Sequence, residues 1–135
     1  VVAEIVLSEP QDEIIEVGAQ NTIKGSDGKI YKYKKVLTMN ATAYTASYKD
    51  TGKYPGQPGF GITYTGTRAR VGTVAVDPKV IPLGTKLYVE GYGYAVAEDI
   101  GGAIKGNKID LYFNTLEEAV NFGRQQRKVY ILAEQ

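Results

Sequence analysis

The chain has 135 residues, of which 43% are hydrophobic, and this size suits one globular core with a short appendage. It contains no His and no Cys, which excludes disulfides and thiolate metal sites and leaves carboxylates, Lys and Tyr as the groups for acid, base or nucleophilic chemistry. The net charge is +1, but residues 1–20 hold five acidic residues and no basic ones, so the rest of the chain is basic. That surplus favours anionic polymers such as nucleic acid, teichoic acid or cell-wall glycan, and an ordinary solvated surface explains it equally well.

No window approaches the roughly 20 apolar residues that a membrane-spanning helix needs. We therefore predict no membrane span in this fragment. Val1 is not a start methionine and no signal pattern precedes it. We expect the chain to be a piece of a longer protein whose targeting segment is missing.

The first third of the chain predicts strands separated by a turn-rich connector. Residues 1–18 are typical of one or two strands, and residues 21–29, with Gly25 and Gly28, favour turns and mark a domain boundary. Residues 32–46 then alternate, with Thr42 and Tyr44 on one face and the alanines between them on the other, as in a strand with one face on a core.

The remainder is predicted to be mainly β, with one helix. Residues 47–66 form a long loop rich in Gly, Pro and Tyr, and such loops are often functional, so it is a candidate wall of a cleft. Asn114 or Thr115 can cap a helix that ends at Gly123, with Leu116, Ala119 and Val120 on one face. The predicted strands are 72–76, 86–90, 94–98, 108–113 and 129–132.

Three aspartates stand out in this apolar, glycine-rich setting. Asp77 directly precedes a proline, and Asp99 lies two residues before the pair Gly101-Gly102. Each of these two aspartates is therefore equally well explained as a turn former. Asp110 lies inside a strand, where aspartate is disfavoured. It shares a face with Tyr112, opposite Ile109, so both polar side chains face either solvent or a cleft.

The segments 41–46, 72–85 and 97–110, in this order, resemble the 3D (three-aspartate) domain of cell-wall lytic proteins of Gram-positive bacteria, including the stationary-phase-survival and resuscitation-promoting-factor-like proteins. The resemblance covers roughly residues 36–132. The family is related to the barrel of membrane-bound lytic transglycosylase A, which implies a mainly β, six-stranded double-psi barrel with one short helix.

The resemblance also implies a division of the chain and a location. Residues 1–20 are similar to the end of a preceding five-glycine β module, residues 21–35 would be a linker and entry strand, and residues 36–135 would form the barrel domain. The expected location is outside the cell, at the wall of a Gram-positive bacterium. One departure is Ile100, which stands where the family usually has Thr after the second aspartate.

The activity implied is that of a peptidoglycan lytic transglycosylase. Such an enzyme cleaves the β-1,4 bond between N-acetylmuramic acid (MurNAc) and N-acetylglucosamine (GlcNAc), and the C6 hydroxyl of the substrate replaces water, which leaves a 1,6-anhydroMurNAc end. One carboxyl protonates the leaving oxygen and then deprotonates the C6 hydroxyl, and this requires a residue that is protonated at rest. We assign that role to Asp110, with Asp99 and Asp77 tuning it and orienting substrate.

Four further residues are predicted to bind substrate: Thr45, Tyr44, Lys105 and Tyr112. We expect no cofactor and no metal, since an all-oxygen site would need the alternating ligands of a calcium loop. The expected partner is the glycan strand of peptidoglycan rather than nucleic acid, and the oligomeric state is left open. The alternative function is a non-catalytic, expansin-like module that binds wall glycan through the same aspartates.

Overall fold

The computed structural model describes residues 21–46, 53 and 56–133. The strands predicted for residues 1–18 lie outside this part of the chain, as does much of the first half of the loop 47–66. The described residues form one helix, α1 (Leu116–Phe122), and seven strands: β1 (Thr22–Lys24), β2 (Ile30–Tyr44), β3 (Thr73–Ala75), β4 (Lys86–Val89), β5 (Gly93–Asp99), β6 (Lys108–Tyr112) and β7 (Gln125–Leu132).

Six of the strands close into a barrel in the order β2-β6-β3-β5-β4-β7, because β7 pairs back onto β2. The β2–β6 and β3–β5 pairs are parallel, and the other four are antiparallel. The prediction of a mainly β, six-stranded barrel with one short helix is confirmed. Its mixed pairing is compatible with the double-psi form.

The core lies inside the barrel, and every barrel strand contributes to it. Alternation along the strands sends these side chains inward. A fully buried Leu or Ile contributes about 1.5–3 kcal/mol. The inward residues are Met39, Ala41, Val74, Leu87, Val89, Ala95, Ala97, Ile109, Leu111, Val129 and Ile131.

Strand β2 is long enough to pair with three neighbouring strands in turn. Its first residues pair with β1, its middle with β7 and its last five residues with β6. The predicted connector at 21–29 contains the expected turn, closed by the Gly25 N–H donating to the Lys29 carbonyl at 2.8 Å. It also contains β1, a strand too short to show a period in the sequence. The division into domains stays a prediction.

The helix begins and ends where its caps predict. The Thr115 hydroxyl oxygen accepts from the Glu118 N–H at 3.2 Å, and Gly123, at φ 67°, donates its N–H to the Ala119 carbonyl. The predicted apolar face is wrong in part, because Leu116 and Val120 are exposed and Ala119 is the buried member. A helix of only seven residues contacts the barrel along little more than one turn: Phe122 packs against the core, and Ala119 is buried.

Candidate active site

A cavity of about 750 Å³, here called the central cavity, runs along the C-terminal half of β2, β6 and the end of β5. Three directly opposed pairs of the parallel β2–β6 ladder line it: Asn40 with Lys108, Thr42 with Asp110, and Tyr44 with Tyr112. Alternation explains this arrangement, since Ala41, Ile109 and Leu111, which lie between these residues, point into the barrel core. The face that carries Asp110 and Tyr112 is therefore the wall of a cavity.

Asp110 lies at the centre of this wall and is half-buried. The Thr42 hydroxyl on the neighbouring strand donates to Asp110 Oδ1 at 2.8 Å. On the other side of β6, Asp110 is paired with Ala75, and Ala75 is paired in turn with Asp99. The two aspartates therefore lie two strand spacings apart, about 10 Å between backbones, and the small side chain of Ala75 between them also lines the cavity.

Three donors surround the Asp99 carboxylate. The Tyr44 hydroxyl donates to Oδ2 at 3.0 Å, and the backbone N–H groups of Tyr64 and Ile100 donate to Oδ1 at 2.9 and 3.0 Å. An ionised carboxylate, which only accepts, satisfies all three. Burial raises the pKa of Tyr44, and the nearby charges of Asp99 and Asp110 raise it further, so Tyr44 remains a hydrogen-bond donor at all ordinary pH values.

Asp77 is not among the residues that line the central cavity. Its two carboxylate oxygens accept backbone N–H groups from Lys79 at 3.0 Å and from Gly106 at 2.9 Å. These hydrogen bonds, that of Gly106 first, lower the pKa of Asp77. The ionised side chain thus ties the turn after β3 to the loop before β6.

Two other predicted residues also lie away from the cavity. Thr45 is 3% exposed and Lys105 is exposed beside Asp77, and neither lines the central cavity. Tyr44 and Tyr112 do line it, with their rings edge to face at 5.5 Å. The structure therefore brings together Asp99, Asp110 and both tyrosines in the wall of the central cavity, and Asp77 is not part of that wall.

The loop predicted to form a cleft wall does so in its described part. Lys53, Gly59, Gly61, Ile62 and Thr63 all line the central cavity. Ile100, which replaces the Thr usual in the family, also lines it and is 38% exposed. Its contact with Asp99 is made by the backbone N–H, so this hydrogen bond does not depend on the side chain.

Glu98, next to Asp99, is buried on the other side of β5 and fixes that loop. Its Oε1 accepts from Arg70 Nη1 at 2.6 Å and from the Thr73 hydroxyl at 3.0 Å, while its Oε2 accepts from Arg70 Nη2 at 3.2 Å. Its carbonyl accepts the Thr65 N–H at 3.2 Å. Adjacent acids on one strand thus have different environments, one in the cavity wall and one in an ion pair behind it.

The family model of the 3D domain matches residues 72–133. This segment belongs to the 3D domain family. It contains Asp77, Asp99 and Asp110, whereas Thr42 and Tyr44 reach the site from β2, before the matched segment.

Two relatives from Bacillus subtilis (strain 168) match 73% of the chain each. YabE, whose name describes cell wall shaping, is 46% identical over 102 residues, and the cell wall-binding protein YocH is 50% identical over 99 residues. The chain spans 23% of YabE and 33% of YocH. Among solved structures, MltA from E. coli matches 55% of this chain and 28% of its own, at 27% identity and a TM-score of 0.46.

Several residues of the site were not expected from the sequence. Thr42 has the same parity as Tyr44, which is the signal that would have found it. Lys53, Lys108 and Arg124 line the central cavity and are part of the basic surplus, but no local pattern marks them. These three basic residues outnumber the two aspartates of the cavity wall, which suits a ligand with anionic groups.

The ion pair of Glu98 predicts a pH dependence of stability. Burial raises the pKa of Glu98, but hydrogen bonds from Arg70 and Thr73 outweigh burial and hold it below its ordinary value of 4.5. A carboxyl whose pKa is depressed in the folded state stabilises the fold above the unfolded pKa, and this contribution is lost as the pH falls through the folded pKa. Glu98→Gln should cost about 1–3 kcal/mol at pH 7, towards the lower end because Arg70 is half exposed.

Chemical denaturation between pH 3 and pH 7 measures this effect. We expect the free energy of unfolding of Glu98→Gln to fall less steeply below pH 4.5 than that of the wild type. Glu117→Gln, on the exposed side of the helix, is the matched control and should follow the wild-type curve. Equal slopes for Glu98→Gln and the wild type would show that the ion pair does not stabilise the fold.

Proposed function

We propose that the central cavity binds the glycan strand of peptidoglycan and cleaves its MurNAc-β-1,4-GlcNAc bond as a lytic transglycosylase. The observation that carries the proposal is the placement of Asp110 and Asp99 on the wall of one cavity, on either side of Ala75. The membership of residues 72–133 in the 3D domain family and the cell-wall names of YabE and YocH support the choice of substrate.

Asp110 is the acid and then the base in this reaction. Its protonated carboxyl gives a proton to the glycosidic oxygen, the bond from that oxygen to C1 of MurNAc breaks, and GlcNAc leaves with its new hydroxyl. The Asp110 carboxylate then takes the proton of the MurNAc C6 hydroxyl as O6 attacks C1, which closes the 1,6-anhydro ring. The proton returns to Asp110, so the enzyme ends as it began and no water is consumed.

Asp99 has a different part. Its three donors fix the position of the carboxylate, and a negative charge fixed there stabilises the positive charge that develops on the sugar as the bond breaks. The rings of Tyr44 and Tyr112 offer apolar faces and edges to the sugar. Thr42, through its 2.8 Å hydrogen bond, orients Asp110.

The remaining predicted residues hold the loops and the strand end around the site in position. Asp77 holds the loop that leads into β6, and the charge of Lys105 lies close to it. Thr45 is buried at the end of β2, directly after Tyr44, and supports the position of that ring. We assign these three residues a positioning role rather than contact with substrate.

The proposed location is the wall of a Gram-positive bacterium, after secretion of the whole protein. YabE and YocH, both from Bacillus subtilis, carry cell-wall names. Among the described residues, no helix has the length and apolar character to cross a membrane.

A second candidate function is glycan binding without cleavage, and the name of YocH, a cell wall-binding protein, favours it. Incubation with purified peptidoglycan distinguishes the two. Release of soluble glycan fragments supports the transglycosylase, whereas sedimentation with intact peptidoglycan and no release supports the binding module.

We predict that the activity needs no metal ion. The chain has no His or Cys, and within the described residues no cluster of three or more acidic side chains could hold a metal. Cleavage of purified peptidoglycan should therefore be unchanged after treatment with EDTA. Complete loss of cleavage that Ca²⁺ restores would overturn the single-acid reaction.

A further inference from the structure

A second cavity of about 750 Å³, here called the hairpin groove, lies where β2 leaves its hairpin with β1. It shares no lining residue with the central cavity. Strand β5 connects the two, since Tyr94 near its start lines the hairpin groove and Asp99 at its end lines the central cavity. These residues are about 17 Å apart along the strand.

Two tyrosines form an aromatic surface in the hairpin groove. The rings of Tyr31 and Tyr94 are nearly parallel, with an interplanar angle of 18° and centroids 6.0 Å apart, and Tyr94 is 43% exposed. Tyr31 is fixed by a 2.6 Å hydrogen bond from its hydroxyl to Asp27 and by packing against Tyr88. The surface is therefore ordered before any ligand binds, which lowers the entropic cost of binding.

The charged side chains that line the hairpin groove are all basic. Lys29, Lys34 and Lys86 line it, and no Asp or Glu is among its described lining residues. Asp27, in the hairpin turn, already accepts the Lys29 N–H at 2.9 Å and the Tyr31 hydroxyl. In the part of the chain that the structure describes, neither Lys34 nor Lys86 makes an ion pair.

We propose that the hairpin groove is a second binding site for peptidoglycan, with sugar rings on Tyr31 and Tyr94 and the carboxylates of the peptide stems on the three lysines. Aromatic rings suit the apolar faces of sugars, and lysines supply the point charges that carboxylates need. A polyol phosphate backbone would use the lysines but has no sugar ring for the tyrosines. This inference rests on the cell-wall assignment, but not on cleavage in the central cavity.

Binding in the hairpin groove tethers the glycan strand near the central cavity. A strand held in the hairpin groove stays at high local concentration near the central cavity, and this raises overall affinity without a new contact in the active site. Loss of the groove should raise KM for long glycan and leave kcat unchanged. Short fragments that fill only the central cavity should be cleaved as before.

Binding is tested in the Asp110→Asn background by sedimentation with purified peptidoglycan that has been stripped of teichoic acid. We expect Tyr94→Leu to weaken binding about three- to tenfold, and Lys34→Gln with Lys86→Gln to weaken it and reduce its salt dependence. Lys35→Gln is the matched control, because Lys35 is the exposed neighbour of Lys34 on β2 and lines neither cavity. Binding by the groove variants equal to that of Lys35→Gln would overturn the proposal.

Measurements of binding to two other polymers test whether the ligand of the groove is a glycan. If the groove variants lose affinity for poly(glycerol phosphate) or single-stranded DNA but keep it for stripped peptidoglycan, the groove does not bind glycan and the proposal is wrong. Failure of binding in the hairpin groove and failure of cleavage in the central cavity give different results. Groove variants with weakened binding sustain the hairpin groove even if the wild type releases no fragments, and normal binding by these variants rejects the groove even if the wild type cleaves.

Discussion

Asp110→Asn is expected to abolish glycan cleavage while the fold and glycan binding are kept. The amide has the size of the carboxyl and can still accept from Thr42, whose hydroxyl lies 2.8 Å from Asp110 Oδ1. It cannot give a proton to the leaving oxygen or take one from the C6 hydroxyl. General acid–base catalysis is worth about 10² to 10⁴ in rate, and here both steps depend on the same group.

The measurement is turnover of purified peptidoglycan, with circular dichroism as the control for folding. Glu117→Gln makes the same chemical change on the exposed side of the helix and should keep full activity. Retention of more than about a tenth of wild-type activity by Asp110→Asn is too much for the loss of an acid–base group. That result would move the role to Asp99 or favour the binding module.

Asp99→Asn should be the second most damaging substitution, with activity lowered about 10²-fold because a preorganised charge at the reacting centre is removed. An amide also fits the three donors around this position poorly, since its NH₂ group cannot accept from Tyr44, Tyr64 or Ile100. The residual activity should have its optimum at lower pH, because the protonated form of Asp110 is less favoured once a negative neighbour is gone.

Tyr44→Phe separates the charge of Asp99 from its orientation. This variant loses only the 3.0 Å hydrogen bond from the hydroxyl to Asp99 and keeps the ring in the cavity wall. We expect a smaller loss of activity and no shift of the optimum to lower pH, since the negative charge remains. A full pH–rate profile of each variant decides the matter. A profile of Asp99→Asn that matches the wild type in position and height would remove Asp99 from the reaction.

The elements that the sequence predicts well are those whose signals are local. The caps of the helix, Thr115 and Gly123, act on their own turn, so they could be located from the chain alone. The six strands of the barrel could be found for the same reason, because one face of each lies on the core, whereas β1 was too short to be recognised. The side of the helix that packs could not, because seven residues contain too few periods and the barrel decides which of Leu116, Ala119 and Val120 is covered.

Prediction of the candidate site from the sequence has the same limit, since local patterns do not encode contacts between distant segments. Alternation placed Asp110 opposite Ile109, but only the strand order shows that Ala75 separates Asp110 from Asp99. Asp77 and Asp99 look alike in sequence, yet backbone N–H groups from two loops occupy the carboxylate of Asp77. That pairing depends on a contact between residues 77 and 106, which no local pattern encodes.

The basic residues around the cavity could not be predicted from the sequence, because their positions depend on strand register and on the paths of the loops. Lys108 lines the central cavity because of the register of β6 against β2, and Lys53 and Arg124 because of the paths of a loop and a helix end. A shift of one residue in that register would turn Lys108 and Asp110 into the core. The charge of the site is thus a property of the barrel rather than of any one segment.

Mass spectrometry of the fragments that the wild-type protein releases from purified peptidoglycan tests the central claim most directly. Cleavage with Asp110 as acid and base, and with the C6 hydroxyl as nucleophile, predicts fragments that end in 1,6-anhydroMurNAc and lack the mass of one water relative to hydrolysis products. Fragments with reducing ends would show that water is the nucleophile, and the absence of any fragment while the protein binds the glycan would contradict cleavage altogether.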